Sequence, residues 1–370
     1  MIYLDYQATT PVAPEAVSAM APWIAERFAN PHSPSRGGRE ADAAIAVARD
    51  QVEFGIGRSD GRIAFTSGAT EALNWSLKGT FENSPRRKLV TIETEHAAVL
   101  DSAEWLERQG VAVVRLPVAP DGLIDLAAAE AAIDDDTALV AAMLVNNEIG
   151  VIQPIAALAR LAHARGALLL CDAVQGFGRM AIPKGPDLIA ISAHKIHGPK
   201  GIGALWMRAG AEPAPLLHGG GQELGLRSGT LSPALCVGFG AASNLAIERR
   251  DEDAQKVERL WEAAYAGFGS GWTLNGSSTA RYHGNLNLSR PGLDAARLLE
   301  DCRDIAFSLG SACASGSGRP SHVLRALGLS DREARGSVRL GFGRYTEEKD
   351  LVAACRRLET AARAQERFAA

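Results

Sequence analysis

Between residues 62 and 207, short apolar runs alternate with stretches of helical periodicity, and this constrains the fold more than any other feature. The runs fall at 62–65, 89–92, 111–116, 138–145, 167–171, 188–191 and 202–207. Between most of them the apolar residues recur every 3.6 positions, as at 69–79, 97–109 and 155–165. Runs apolar throughout suit strands covered on both faces, and strands separated by helices pair in parallel. The expectation is an α/β fold whose large domain holds a mainly parallel seven-stranded sheet. Two helical stretches at 233–250 and 252–268 then lead to short strands near 272–275, 285–288, 305–308 and 338–341. That region reads as a smaller α+β domain, and 370 residues suit two domains at roughly 150 each. The expected division is 14–250 for the large domain, and 1–13 with 251–370 for the small one.

Composition narrows the function. The formal net charge is −4 and no long Lys/Arg block occurs, so a nucleic-acid partner is not expected. Arg86-Arg87-Lys88 reads as a solvated loop. No apolar stretch approaches the roughly 18 residues of a membrane span. The opening Met1-Ile2-Tyr3-Leu4-Asp5 lacks a basic or apolar leader, so no cleaved secretory signal is expected. Cysteines 171, 236, 302, 313 and 355 are odd in number and form no Cys-x-x-Cys pair. They predict free thiols in a reducing compartment, the cytoplasm.

Open α/β sheets bind ligands at the carboxyl ends of their strands. The polar residues fall there: Thr66-Ser67-Gly68-Ala69-Thr70-Glu71, His96, Asn146-Asn147-Glu148, Asp172-Ala173-Val174-Gln175 and Lys195. Lys195 closes a buried run and opens Ile196-His197-Gly198-Pro199, where desolvation would lower its pKa and ready it for Schiff-base chemistry. The alternative is a strand-end lysine reaching for water. Asp172 at a buried strand end requires a cationic or hydrogen-bonding partner, such as a protonated pyridine nitrogen, or else caps the next segment. The Ser67–Thr70 turn offers amides and hydroxyls to a phosphate, or is an ordinary helix cap. Together these features favour pyridoxal phosphate.

His96 could stack on a cofactor ring and carry protons, or serve as a cap. Asn147 and Gln175 could hydrogen-bond a ring hydroxyl or substrate. Cys313, in Gly310-Ser311-Ala312-Cys313-Ala314-Ser315-Gly316, is the strong nucleophile candidate, whereas the other four cysteines read as packing residues. Arg339, in a short apolar strand, suits a substrate carboxylate or an internal ion pair. Ser192-x-x-Lys195 also fits an acyl-transferring hydrolase, but no Ser-Asp-Asn or Lys-Thr-Gly partner accompanies it.

Read together, Tyr3-Leu4-Asp5-Tyr6-Gln7-Ala8-Thr9-Thr10-Pro11, Thr94-Glu95-His96, Val145-Asn146-Asn147-Glu148-Ile149-Gly150, the Asp172 and Lys195 stretches, Arg227-Ser228-Gly229-Thr230 and the Cys313 loop carry a resemblance. The chain resembles the cysteine desulfurases of the NifS/IscS group, fold-type I pyridoxal-phosphate enzymes related to class V aminotransferases. The resemblance implies that Lys195 links to the cofactor and that Ala69, Thr70, Ser192 and His194 bind its phosphate region. Thr230 from the second subunit of a homodimer would join them. It further implies that Asp172 pairs with the pyridine nitrogen, that Gln175 and Asn147 bind near the ring hydroxyl, and that His96 stacks on the ring. Arg339 would hold the carboxylate of L-cysteine. Cys313 would take its sulfur as a persulfide, releasing L-alanine. An acceptor protein, such as an iron–sulfur scaffold, would then receive the sulfur. A selenocysteine lyase and a sulfur carrier without turnover are the alternatives.

Overall fold

The structure, a computed structural model, describes residues 1–310 and 320–369. A short strand β1 (Ile2–Tyr3) precedes the large sheet, which is built from β2 (Gly61–Thr66), β3 (Lys88–Ile92), β4 (Ala112–Leu116), β5 (Thr137–Met143), β6 (Leu168–Asp172), β7 (Leu188–Ser192) and β8 (Gly203–Arg208). Their order is β2-β8-β7-β6-β5-β3-β4, and β8 alone runs against the others. All seven predicted runs are therefore strands of one sheet, within a residue or two at their ends.

Both faces of that sheet are covered, which is why its strands are apolar throughout. Leu169 and Ile189 point into one core, with Val52 and Phe239 from helices Arg36–Ile56 and Pro233–Glu248. Their neighbours Leu170 and Leu188 point into the other, with Trp75 and Leu106 from helices Ala69–Asn83 and Ala97–Arg108. Every residue of β5 is buried.

A second sheet follows, from β9 (Thr273–Leu274), β10 (Asn285–Ser289), β12 (Ser308–Leu309) and β13 (Ser337–Gly341), while β11 (Ile305–Ala306) pairs with β1. The single strand expected at 305–308 is thus two. Buried Phe307 carries the chain from one pairing to the other, a change that a short apolar run does not reveal. This region has its own core of Leu286, Leu288, Val338 and Leu340 under helices Arg250–Ala266 and Glu348–Ala369, and Leu4 belongs to it.

Candidate active site

Strand β7 delivers Ser192, and one 3₁₀ turn, Ala193–Lys195, follows it. The Lys195 ammonium donates to the carbonyls of Gln7 at 2.5 Å and Ala8 at 2.8 Å. Thr10 braces the turn: its hydroxyl donates to the His194 carbonyl (2.9 Å) and accepts from the His197 amide (2.8 Å). His197 has a φ of +67°, costly for a side-chain-bearing residue and sustained only by its surroundings. Those surroundings are the Pro11 carbonyl at 2.9 Å from its Nδ1 and the rings of Tyr6 and Tyr345. Beside the turn, a side chain on Gly203 would meet the Gly68 backbone at 2.8 Å, so β8 packs tightly under the Ser67–Gly68 turn.

Asp172 ends β6, in register with Met143 of β5 and Ala190 of β7. Its Oδ1 accepts from the Val174 amide at 3.0 Å, and the residue lines the same cavity as Lys195. Burial raises its pKa, against the pull of that amide, His96 and Lys195. His96 caps helix Ala97–Arg108: Nδ1 accepts from the Ala98 amide at 3.0 Å, so the neutral ring carries its proton on Nε2. Burial lowers its pKa, Asp172 opposes that, and Lys195 and His322 add to it. His96 thus forms the cap weighed for it, and it also lines the cavity.

These groups line a cavity of about 610 Å³, joined by Ser67, Ala69, Thr70, Asn147, Gln175, Ser192 and His194. Helix Ala69–Asn83 begins at Gly68 with no side-chain cap. Thr66 donates instead to the Gly68 carbonyl at 2.9 Å, so the ordinary cap does not form. Glu71 accepts from the Ser67 amide at 2.7 Å and pairs with Arg227, also at 2.7 Å. Burial would raise the Glu71 pKa, yet those hydrogen bonds leave it lowered. The Gln175 amide donates to the Gln7 carbonyl at 3.0 Å, and its oxygen accepts from Arg179 at 2.6 Å. His194 contacts the Thr9 hydroxyl at 3.1 Å, and burial, with Lys195 second, lowers its pKa to about 4.

Three expected residues stand apart. Thr230 is exposed on the loop before helix Pro233–Glu248 and does not line the cavity. Arg339 lies fully buried on β13, where Nη2 donates to Asp5 at 2.7 Å and Ser308 at 3.0 Å, and Nη1 to the Asn147 carbonyl at 3.0 Å. Cys313 lies outside the described residues. The chain on either side of it is anchored near the site. The Gly310 amide donates to Ser337, the Ser321 hydroxyl to Glu148, and His322 Nε2 to the Glu95 carbonyl at 2.9 Å.

Several contributors escaped the reading of the sequence. The carbonyls of Gln7 and Ala8 carry no side-chain signal, although the segment was singled out as a stretch. Glu95 is wholly buried behind Asp172. One of its oxygens accepts from the Met143 amide at 2.6 Å, the other has no partner among the described residues, and burial, then Asp172, raises its pKa well above the carboxylate range. A glutamate beside a histidine reads as solvated unless the burial of its turn is known.

The aminotransferase class-V family model matches residues 2–353. The cysteine desulfurase IscS of Rickettsia bellii is 43% identical over 361 residues, 95% of this chain and 88% of its own length. A NifS-like protein of known structure superposes with a TM-score of 0.91 at 33% identity, over 97% of this chain and 98% of its own. SspA, solved in complex with cysteine, gives 0.83 at 35% identity, over 94% and 100%. The chain belongs to the class-V aminotransferase family, among its IscS- and NifS-like members.

Proposed function

We propose that this chain is a pyridoxal-phosphate-dependent cysteine desulfurase, which converts L-cysteine to L-alanine and passes the sulfur through Cys313 to an acceptor. One observation supports the reading: Lys195, Asp172 and His96 line one cavity together with an uncapped helix start. The donor set fits the cofactor. A buried carboxylate with one backbone donor can hold a pyridinium, and free helix amides with Ser192 and His194 can hold a phosphate. Lys195 would hold the aldehyde, and Ala69, Thr70, Ser192 and His194 the phosphate. Asp172 would hold the ring nitrogen, and Asn147 and Gln175 the ring hydroxyl. When bound, the group supplies an electron sink that permits proton loss and carbon–sulfur cleavage.

The chain's own groups then do the rest. His96, its Nδ1 engaged by the Ala98 amide, lines the cavity and carries on Nε2 the proton it can donate. The Gln7 and Ala8 carbonyls steer the Lys195 amine. Arg339 takes the substrate carboxylate by exchanging its Asp5 contact for it, a swap of one carboxylate for another. The Cys313 thiolate attacks the substrate sulfur: a sulfur–sulfur bond forms, the carbon–sulfur bond breaks, and the carbon takes a proton to give alanine. A second copy of the chain completes the site with Thr230, and an iron–sulfur scaffold in the cytoplasm is the acceptor class.

Alanine and sulfide release from L-cysteine tests this. Cys313→Ala should retain cofactor colour yet lose both products, and wild-type turnover in that variant contradicts the assignment. L-Selenocysteine as sole good substrate would favour a lyase instead.

A further inference from the structure

Arg179, Gln175, Gln7 and Lys195 are joined in a closed ring of hydrogen bonds. Arg179, in the segment after β6, donates through Nη1 to Gln175 Oε1 at 2.6 Å and through Nη2 to the Lys195 carbonyl at 3.0 Å. Gln175 Nε2 donates to the Gln7 carbonyl at 3.0 Å, and the same carbonyl accepts from Lys195 Nζ at 2.5 Å. The ring therefore holds Lys195 at both ends, by its backbone carbonyl and by its amine. Gln7, Gln175 and Lys195 line the cofactor cavity, whereas Arg179 lies outside it. It lines instead a second cavity, of about 200 Å³, that shares Lys195 with the first.

An arginine side chain only donates, so the Gln175 atom beside it is oxygen; a backbone carbonyl only accepts, so the atom beside Gln7 is nitrogen. Arg179 thereby fixes which way the amide faces. The nitrogen keeps a second hydrogen to give, which suits the ring-hydroxyl oxygen assigned to Gln175. The Lys195 carbonyl ends a 3₁₀ turn, where carbonyls lack partners within the turn. Arg179 supplies one, as Thr10 does for His194 one residue earlier. A guanidinium fork spans two acceptors at a set separation, which an ammonium on a flexible stem does not. Arg179 is itself held in place. Its Nη1 also donates to the Gln175 carbonyl at 3.1 Å, and its guanidinium carbon lies 5.1 Å from the centre of the Tyr282 ring. The Tyr282 amide donates in turn to the Gly150 carbonyl at 2.8 Å.

We propose that Arg179 is a positioning residue for the reaction: from outside the cofactor cavity it aims the Lys195 amine and orients the Gln175 amide. The proposal rests on the desulfurase reading, and its first readout needs no turnover. The rate at which cofactor-free protein gains near-visible absorbance on mixing with pyridoxal phosphate reports how well the Lys195 amine is aimed. Arg179→Met should slow that uptake about tenfold or more, as expected for loss of charge-assisted donors. Arg179→Lys keeps the charge but reaches one acceptor, so its rate should fall between the two. With L-cysteine, Arg179→Met should lower kcat by about ten- to a hundredfold and change KM by less than about threefold, since the substrate carboxylate is assigned to Arg339. Should Arg179→Met not fold, Arg179→Lys carries the test, with slowing of about threefold expected and none contradicting. Uptake and kcat at wild-type values, or a lowered melting temperature with both unchanged, overturn the proposal. Slowed uptake in the variant with no turnover in the wild type would instead overturn the desulfurase reading and leave the aiming of Lys195 by Arg179 in place.

Discussion

The two sheets treat a buried charge in opposite ways. Asp172, at the end of β6, accepts from one backbone amide and lines a cavity. Arg339, in the middle of β13, has both terminal nitrogens committed to Asp5, Ser308 and the Asn147 carbonyl, and its Nε has no partner among the described residues. Unused hydrogen-bonding capacity marks where a ligand goes; committed capacity marks what holds the walls together. The large sheet supplies the first because parallel strands end at a common edge. The small antiparallel sheet supplies the second.

Three substitutions can break that comparison, the largest effect first. Lys195→Ala should lower alanine formation by about 10³-fold or more and remove the near-visible absorbance of bound cofactor. Asp172→Asn should also lower turnover, by about 10²-fold or more, yet leave the melting temperature of the cofactor-free protein unchanged or higher, since an under-compensated buried charge is gone. Arg339→Gln should do the reverse to stability, costing about 1–3 kcal/mol by leaving the part-buried Asp5 carboxylate with the Ser308 hydroxyl as its remaining donor among the described residues. If Arg339 also takes the substrate carboxylate, its KM for L-cysteine rises about tenfold; a lowered melting temperature with unchanged KM restricts it to the wall.

Legibility followed the same divide. The seven strands of the large sheet could be read because each is apolar along its length and bounded by polar turn residues. Asp172, Lys195 and His96 could be read because they stand at those boundaries. The brace could not. Thr10, the Gln7 and Ala8 carbonyls and the left-handed His197 act through backbone groups brought together from 180 or more positions apart. The helices Pro14–Ala25 and Arg36–Ile56 went unassigned, lying before the alternating region on which the reading rested. Arg339 was read as either a ligand for substrate or an ion pair, and its sequence neighbours contain nothing that identifies Asp5.

The brace itself offers a finer test. Thr10→Val removes the hydroxyl that both donates to His194 and accepts from His197, and should cost about 1–3 kcal/mol. Lys195 should then be less well aimed, lowering kcat more than it raises KM.

The smallest effect is the pH dependence of stability. Burial lowers His194 to about 4 and His197 to about 3 from an ordinary 6.5. The unfolded chain then binds protons that the folded one does not, so stability is full above about pH 6.5 and declines as pH falls toward the folded values. Thermal melts between neutral and mildly acidic pH should show this decline, and His197→Asn should flatten part of it. An unchanged slope would remove His197 from the account.

The most direct measurement is chemical. Borohydride reduction of the cofactor-loaded protein, followed by peptide mapping, should fix the cofactor's mass on Lys195 and on no other residue. A tag on a different lysine, or none at all, would contradict the claim that the braced strand end after β7 is where the chemistry takes hold.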